Sequence, residues 1–167
     1  KNSILLLDFN PIQYDYLLNE LSSLNKNILL LNQRRPAIWN LQSFKIIKNS
    51  NCKIIHLDDF EKKINKKIDL EIKSFLSNLD KLWLLNSTFE KIFSTKSNTF
   101  WYAIKESFIK ICTVRFSESV RRILLLNELF DTIDISVILE WAETGQEEKE
   151  IIFLSKKRGI KSVLLQH

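Results

Sequence analysis

The stretch that decides the fold is Ile135–His167. It begins Ile-Ser-Val-Ile-Leu-Glu-Trp, continues through Ala-Glu-Thr-Gly-Gln into a helical segment, and ends Ile-Lys-Ser-Val-Leu-Leu-Gln-His. Residues 135–139 form an almost continuous apolar run, which is typical of a strand buried on both faces. A second buried strand is predicted at 163–165. The stretch has about the length of one βαβ crossover, and such crossovers place two parallel strands side by side. The sequence therefore predicts a parallel sheet here.

The segment between these two runs carries the signals of a helix with defined ends. Thr144 and Glu147 have the spacing of a capping box, which predicts that the helix begins at Thr144. Acidic residues fill its first turns and the basic residues 156–158 fill its last turn, so both ends complement the helix dipole. Gly159 stands where a left-handed residue often follows the end of a helix.

The start of the chain shows the same order of strand, helix and strand. Strands are predicted at 3–9 and 27–31. Between them a helix is expected from Pro11, with Asn10 as its N-cap. Its expected apolar face is Ile12, Tyr16, Leu17, Leu21 and Leu24. The next short apolar runs, 44–47 and 53–57, fit two strands or a strand and a short helix, and periodicity does not decide between them.

Two long helices are predicted in the middle of the chain. The first follows Asp58 or Asp59 and has apolar residues at steps of three and four, namely Phe60, Ile64, Ile68, Ile72, Phe75, Leu79 and Leu82. The second is expected from about 99 to 130, with a break near Ser117 and Ser119. Its expected inner stripe is Ile104, Phe108, Ile111, Cys112, Phe116, Val120, Ile123 and Leu124. Its arginines are expected to pair with Glu118 and Glu128.

Length and composition indicate a protein of ordinary globular type with long helices. The 167 residues suffice for one domain with a sizeable core. Gly and Pro number only two each, which argues against a β-sandwich and favours long helices. Because the chain begins at Lys1 without a methionine and stops at His167 directly after a predicted strand, we expect a piece excised from a longer protein.

Charge and cysteine usage narrow the class of partner and the compartment. The net charge of +5 fits either a solvated lysine-rich surface or an anionic partner, such as a nucleotide, a phosphorylated sugar or a membrane face. The charge is scattered along the sequence, which argues against a nucleic-acid protein. Cys52, Cys112 and the two histidines lack metal-site spacing, so neither a metal nor a cofactor is predicted. Two isolated thiols suit a reducing cytoplasm.

The candidate site residues all follow predicted strands. No nucleophile motif and no glycine-rich phosphate loop is present. Parallel strands bring their carboxyl ends to one edge of the sheet, where α/β proteins bind ligands. The candidates at that edge are Asp8, Asn10, Arg34, Arg35, Glu140, Thr144, Gly145 and His167.

Several of these residues have two readings. Arg34 and Arg35, beside Pro36 and Trp39, are either surface charge on a loop anchored by the tryptophan or a guanidinium pair for an anionic ligand. Glu140 is either a general base or a carboxylate that simply follows a strand. The backbone N–H groups of Thr144 and Gly145 at a helix start form a natural anion site.

One resemblance follows from these residues. The stretch 135–167 resembles the end of the N-terminal domain of GT-B-type glycosyltransferases. The resemblance lies in an apolar strand with an acidic end, a Thr-Gly turn, a helix and then Gly-Ile-Lys-Ser-Val-Leu-Leu-Gln-His. The chain is similar to the branch with surface-polysaccharide transferases, CDP-glycerol glycerophosphotransferases and UDP-N-acetylglucosamine 2-epimerase-like proteins. Gln166 and His167 match the Gln-His-Gly with which this strand ends in many of them. The specific part covers about thirty residues, and the helical middle departs from the regular alternation.

The resemblance implies a fold and a function. The fold would be a single three-layer Rossmann-like domain over residues 1–167, with a mainly parallel sheet and long helices. This domain would be the N-terminal half of a longer two-domain enzyme. The function would be that of the acceptor-side domain of a surface-glycan glycosyltransferase, with Glu140 and His167 as catalytic residues. Asp8, Asn10, Arg34, Arg35, Thr144 and Gly145 would bind substrate. The full-length protein would use a nucleotide-sugar and a glycan or lipid-linked acceptor, and peripheral membrane association is among the expectations.

The chain by itself is expected to be catalytically silent and to bind nucleotide-sugars weakly or not at all, since most of that site would lie in a C-terminal domain. Two alternatives remain open from the sequence. One is a sugar-nucleotide epimerase on the same scaffold, and the other is a non-catalytic α/β binding module.

Overall fold

A computed structural model describes residues 2–96, 98–141 and 145–165 of the chain. Its elements in chain order are β1 (Ser3–Leu7), α1 (Asp15–Ser22), β2 (Asn27–Leu31), α2 (Leu41–Asn49), β3 (Lys53–Ile55), a 3-10 turn (Leu57–Phe60), α3 (Glu61–Trp83), α4 (Asn86–Ile92), β4 (Ser94–Thr95), β5 (Asn98–Thr99), α5 (Trp101–Thr132), β6 (Ile135–Glu140), α6 (Gln146–Lys157) and β7 (Lys161–Leu164). The chain divides into two compact units. Unit 1 combines residues 1–63 with 125–167, and unit 2 is residues 64–124.

Unit 1 is built on a five-stranded parallel sheet with the order β3-β2-β1-β6-β7. The predicted parallel pairing of the last two strands is confirmed, since Leu139 of β6 lies opposite Val163 of β7. The chain moves outward from β1 through β2 to β3 and then resumes on the other side of β1 with β6. The strand order therefore reverses between β1 and β6, and such a reversal opens a crevice at the carboxyl ends of the two strands.

The core of unit 1 forms because β1 and β2 carry apolar residues at nearly every position. All five residues of β1 are buried. Ile4 and Leu6, together with residues of β2, pack against Leu18 of α1 and Ile46 of α2. The run 44–47, which periodicity left open, is thus part of a helix. Asn40 caps this helix through its side chain, which accepts from the Ser43 N–H (2.8 Å).

The structure corrects three predictions about unit 1, namely the burial of its last strand, the start of its first helix and the apolar face of that helix. The strand predicted as buried at 163–165 is β7, which is exposed along its whole length and forms an edge of the sheet. The helix expected from Pro11 begins only at Asp15, because Asn10 caps a preceding turn instead of the helix itself. Leu18 is its buried residue, whereas Tyr16, placed on the apolar face from the sequence, is exposed.

Helix α6 ends as predicted and begins later than predicted. It starts at Gln146 with Gly145 as N-cap, and Thr144 lies outside the described residues. At its other end Gly159 has a φ of 67°. The Ile160 N–H donates to the Ser155 carbonyl and the Gly159 N–H donates to the Lys156 carbonyl. These two hydrogen bonds form a Schellman motif, which requires a left-handed residue at this position.

Unit 2 is organised around a cluster of aromatic side chains. Trp101 is fully buried and stacks on Phe89 at 4.6 Å and on Phe93 at 5.4 Å between ring centroids. Phe108 of α5 and Trp83 at the end of α3 meet edge to face at 6.1 Å. The large buried area of these rings and their edge-to-face contacts stabilise the unit.

Three expectations about the long helices need correction. α5 runs unbroken past Ser117, whose hydroxyl donates to the Thr113 carbonyl (2.8 Å) within the helix. Ile111 and Phe116 of its expected inner stripe are exposed, and so is Leu82 of the expected face of α3. The expected ion pair of Arg115 with Glu118 is confirmed (3.2 Å).

Candidate functional site

The carboxyl ends of β1 and β2 are held together by Asp8. Its carboxylate Oδ1 accepts the backbone N–H groups of Gln33 (2.7 Å) and Arg34 (3.1 Å). Asp8 is buried and has a φ of 55°, a left-handed conformation that Asp tolerates better than most side chains. Asp8 therefore positions the loop after β2.

Asn10 and Asn32 add further links at the same edge. The Asn10 Oδ1 accepts the N–H groups of Ile12 (3.0 Å) and Gln13 (3.4 Å) and so fixes the turn after β1. The Asn32 Nδ2 donates to the Phe9 carbonyl (3.2 Å). The loops that follow β1 and β2 thus brace each other through side-chain hydrogen bonds.

Arg34 reaches from the loop after β2 to the first turn of α6. Its Nη2 forms an ion pair with Oε1 of Glu148, whose side chain is only 5% exposed, while that of Arg34 is 37% exposed. Gly145 leaves the room for this pair, because a Cβ at this position would lie 2.0 Å from the Glu148 Oε2 and 2.1 Å from the Arg34 Nη2. Arg34, Gly145 and Glu148 therefore pack against one another, although Arg34 is far from the other two in the sequence.

Arg35 and Trp39 line the outer part of the same edge. The Arg35 guanidinium lies over the Trp141 ring, 5.8 Å from its centroid. A shallow cavity of about 350 Å³ is lined by Asn10, Arg35, Pro36 and Trp39. The indole of Trp39 is partly open to solvent. This part of the edge offers an aromatic surface beside a cation and an amide.

Glu140 ends β6 and is 1% exposed. It lies opposite Leu7 on one side and Leu164 on the other, and its carbonyl accepts the Leu165 N–H (2.8 Å). The structure thus places Asp8, Asn10, Arg34, Arg35, Glu140 and Gly145 at the carboxyl ends of the parallel strands. Thr144 and His167, the other two candidates, lie outside the described residues.

Three buried polar atoms at this edge have no hydrogen-bond partner within the described ranges. They are the Asn32 Oδ1, the Gln33 Nε2 and the Glu148 Oε2. A buried polar atom without a partner costs about 1–3 kcal/mol. The Asn32 Oδ1 and the Glu148 Oε2 can therefore accept hydrogen bonds from a ligand, and the Gln33 Nε2 can donate one to it. A ligand with hydroxyl groups, which both donate and accept, matches this combination.

Sequence reasoning missed Glu148 and Gln33 as members of this site. Glu148 was assigned to the helix dipole with the other acidic residues of the first turn. Its spacing held the missing signal, because residues 148, 151, 154 and 155 share the buried face of α6. A carboxylate on the apolar face of a helix requires a partner. Gln33 carried no comparable signal.

Residues 2–96, 98–141 and 145–165 contain neither a metal-binding cluster nor a membrane-spanning helix. No group of three or more His, Cys, Asp or Glu side chains in these ranges could hold a metal ion. The same ranges contain no helix with both the length and the apolar character needed to cross a bilayer. Both cysteines are free thiols.

Comparison of the chain with protein-family models, with curated proteins and with solved structures found no match.

Proposed function

We propose that unit 1 is the acceptor-side, Rossmann-like domain of a GT-B-like glycosyltransferase of surface-glycan biosynthesis. The order β3-β2-β1-β6-β7 supports this proposal, because it corresponds to the order 3-2-1-4-5 of a dinucleotide-binding sheet. The resemblance of 135–167 to the end of such a domain supports it as well. The three-layer arrangement is part of the proposal. It is supported by the burial of every residue of β1, whose side chains alternate between the two faces of the sheet.

The observation that carries the proposal is the set of three buried polar atoms at the carboxyl edge. The Gln33 amide offers a donor, and the Asn32 amide and the Glu148 carboxylate offer acceptors. A sugar hydroxyl donates one hydrogen bond and accepts others, so a polyhydroxylated ligand suits this mixture. Trp39 in the same loop offers an indole face to a sugar ring, and Arg35 offers a positive charge to an anionic substituent.

The proposal assigns roles to the remaining residues. Glu140 is the general base that takes the proton of an acceptor hydroxyl, and His167 is the second catalytic residue. Asp8 and Asn10 hold the loops in place. Arg34, with the N–H groups of Thr144 and Gly145, receives an anionic group of the acceptor or of a lipid-linked carrier. A second domain would supply most of the nucleotide-sugar site. The proposed location is the cytoplasm, which the two free thiols support.

A titration of the isotope-labelled chain followed by NMR tests this proposal. The probes are oligosaccharides of surface-glycan type and, separately, UDP-, GDP- and CMP-sugars. We expect the oligosaccharides to shift the amide signals of Gln33, Arg34 and Gly145, and the nucleotide-sugars to shift them weakly or not at all. Micromolar binding of a nucleotide-sugar would favour the epimerase alternative, and no response to any saccharide would favour a binding module of another kind.

A pair of matched variants separates binding from stability. Gln33→Leu removes the buried amide without loss of volume, so it should abolish saccharide binding and leave the free energy of unfolding unchanged or higher. Gln42→Leu makes the same change on the exposed side of α2 and should bind like the wild type. If Gln33→Leu binds saccharides normally, the buried polar atoms are not the binding site and the proposal loses its main support.

A further inference from the structure

Residues 81–102, called here the connecting segment, run from the last turn of α3 through α4, β4 and β5 to the first turn of α5. They expose large apolar side chains. Leu84 is 78% exposed and Ile92 is 64% exposed. The other exposed apolar residues of the segment are Leu82, Leu85, Phe100 and Tyr102. Scattered exposed apolar residues need no explanation, but six within one short segment indicate an interaction surface.

These exposed residues are not part of the aromatic cluster of the segment. In that cluster Phe89 and Phe93 both stack on Trp101. The Trp101 indole N–H donates to the Asn86 side chain (3.4 Å), which also accepts from Lys105 (2.9 Å). Because the folded core of unit 2 uses the buried rings, the exposed aliphatic side chains contribute little to its stability.

The positive charge of the whole protein is concentrated in unit 2. Residues 64–124 contain eleven Lys and Arg and six Asp and Glu, which gives a net charge of +5. The rest of the chain contains fourteen Lys and Arg and fourteen Asp and Glu, so its net charge is zero. The charge that looks scattered along the sequence is therefore confined to one of the two units. Such a unit is attracted to anionic surfaces.

The connecting segment contributes three exposed lysines to this charge and one glutamate. Lys81, Lys91 and Lys96 form no ion pair within the part of the chain that the structure describes. Glu90, the glutamate, accepts a hydrogen bond from the Tyr102 hydroxyl, and this bond raises the pKa of Tyr102. The segment thus combines available ammonium groups with exposed aliphatic side chains.

We propose that the connecting segment docks unit 2 onto a membrane surface containing anionic lipids. Leu84, Leu85 and Ile92 enter the boundary between headgroups and acyl chains, as the apolar face of an interfacial helix does. The three lysines pair with anionic headgroups, because their long stems follow apolar surface while their ammonium groups stay in the polar layer. A nucleic acid would use the lysines but would leave the aliphatic side chains in water. The inference does not depend on the function proposed for unit 1.

Flotation of the full chain with lipid vesicles tests this inference. The vesicles are phosphatidylcholine alone and phosphatidylcholine with roughly one third phosphatidylserine. We expect binding to the anionic vesicles that weakens with salt. The triple variant Lys81→Gln, Lys91→Gln, Lys96→Asn should bind about 100-fold more weakly, since each lysine contributes about fivefold. Asn is chosen at position 96 because the φ there is 54°. The triple variant Leu84→Ser, Leu85→Ser, Ile92→Ser should bind the anionic vesicles at least about tenfold more weakly than the wild type.

Matched controls lie on α3 of the same unit. The triple variant Lys66→Gln, Lys67→Gln, Lys73→Gln removes the same charge from exposed positions outside the segment, and Leu70→Ser removes an exposed leucine. Both should bind vesicles within about threefold of the wild type, because charges beyond about 10 Å are screened. Fluorescence of the buried Trp83 and Trp101 and thermal melting confirm that each variant is folded.

Four results would overturn the inference. The first is the absence of binding to anionic vesicles. The second is an equal loss of binding in the control lysine triple, which would show that the charge of the whole unit binds the vesicles and not the connecting segment. Tighter binding to a DNA duplex than to vesicles would identify a nucleic-acid surface. Self-association in sedimentation velocity that the Leu84 triple abolishes would identify a second copy of the chain as the occupant.

Discussion

Removing Arg34 should destabilise the protein more than removing the charge of Glu148. In the Arg34→Ala variant the carboxylate of Glu148, whose side chain is only 5% exposed in the intact pair, loses its cation. In Glu148→Gln the guanidinium of Arg34, which is 37% exposed, keeps contact with water. The two single variants of one ion pair should therefore have unequal effects.

The magnitudes follow from the burial of the two partners. Breaking a fully buried pair costs about 3–5 kcal/mol, and the solvent around Arg34 lowers the expected cost of Arg34→Ala to about 2 kcal/mol. Glu148→Gln should cost about 1 kcal/mol, close to the value of one hydrogen bond. The double variant no longer buries a charge, so it should cost about 1 kcal/mol as well, well below the sum of the two single effects.

Urea unfolding at pH 7 measures these free energies of unfolding, and the matched control is Arg35→Ala. Arg35 is adjacent in sequence and exposed, and it lies over the Trp141 ring, so its removal should cost less than about 1 kcal/mol. Additive effects of Arg34→Ala and Glu148→Gln would refute the reasoning, since they would show that the two side chains do not stabilise each other.

Three further predictions concern Asp8, Gly159 and Cys52. Asp8→Ala removes the acceptor of two backbone N–H groups at a φ of 55° and should cost about 3 kcal/mol. Asp8→Asn keeps an oxygen acceptor and should cost under about 1 kcal/mol. Equal melting temperatures of the Asp8→Ala and Asp8→Asn variants would contradict this prediction. Gly159→Ala meets no atom within 4 Å at a φ of +67°, so urea unfolding should show only the strain of about 1–2 kcal/mol. Burial raises the pKa of the Cys52 thiol from 9.0 to about 12. The protonated thiol therefore stabilises the folded state below pH 9, and this contribution is lost as the pH rises toward 12. Between pH 9 and pH 12 the free energy of unfolding of the wild type should fall by up to about 1.4 kcal/mol per pH unit more than that of Cys52→Ala. Parallel profiles of the free energy of unfolding against pH for the two proteins would disprove the prediction.

Local patterns in the sequence predicted most of the secondary structure of unit 1. The runs predicted as strands at 3–9, 27–31 and 135–139 correspond to β1 (Ser3–Leu7), β2 (Asn27–Leu31) and β6 (Ile135–Glu140), and the left-handed Gly159 follows the end of α6. A strand buried on both faces leaves a continuous apolar run, and a helix end leaves a glycine at a fixed position, so a few consecutive residues indicate each feature. The start of α6 was predicted two residues too early. The start of α1 was predicted four residues too early, because the Asn10 side chain caps a turn with the same spacing to the N–H groups it accepts as a helix N-cap has.

The sequence by itself predicted the edge of the sheet that Asp8, Asn10, Arg34, Arg35, Glu140 and Gly145 share in the structure, because parallel strands deliver their carboxyl ends to the same side. Only the tertiary structure decided what each of them contacts there. Arg34 pairs with Glu148 more than a hundred residues away, in a space that Gly145 leaves open. It also decided that β7 is exposed and that the positive charge is confined to unit 2. Burial and charge distribution depend on which distant segments pack together, and periodicity along a chain contains no information about that packing.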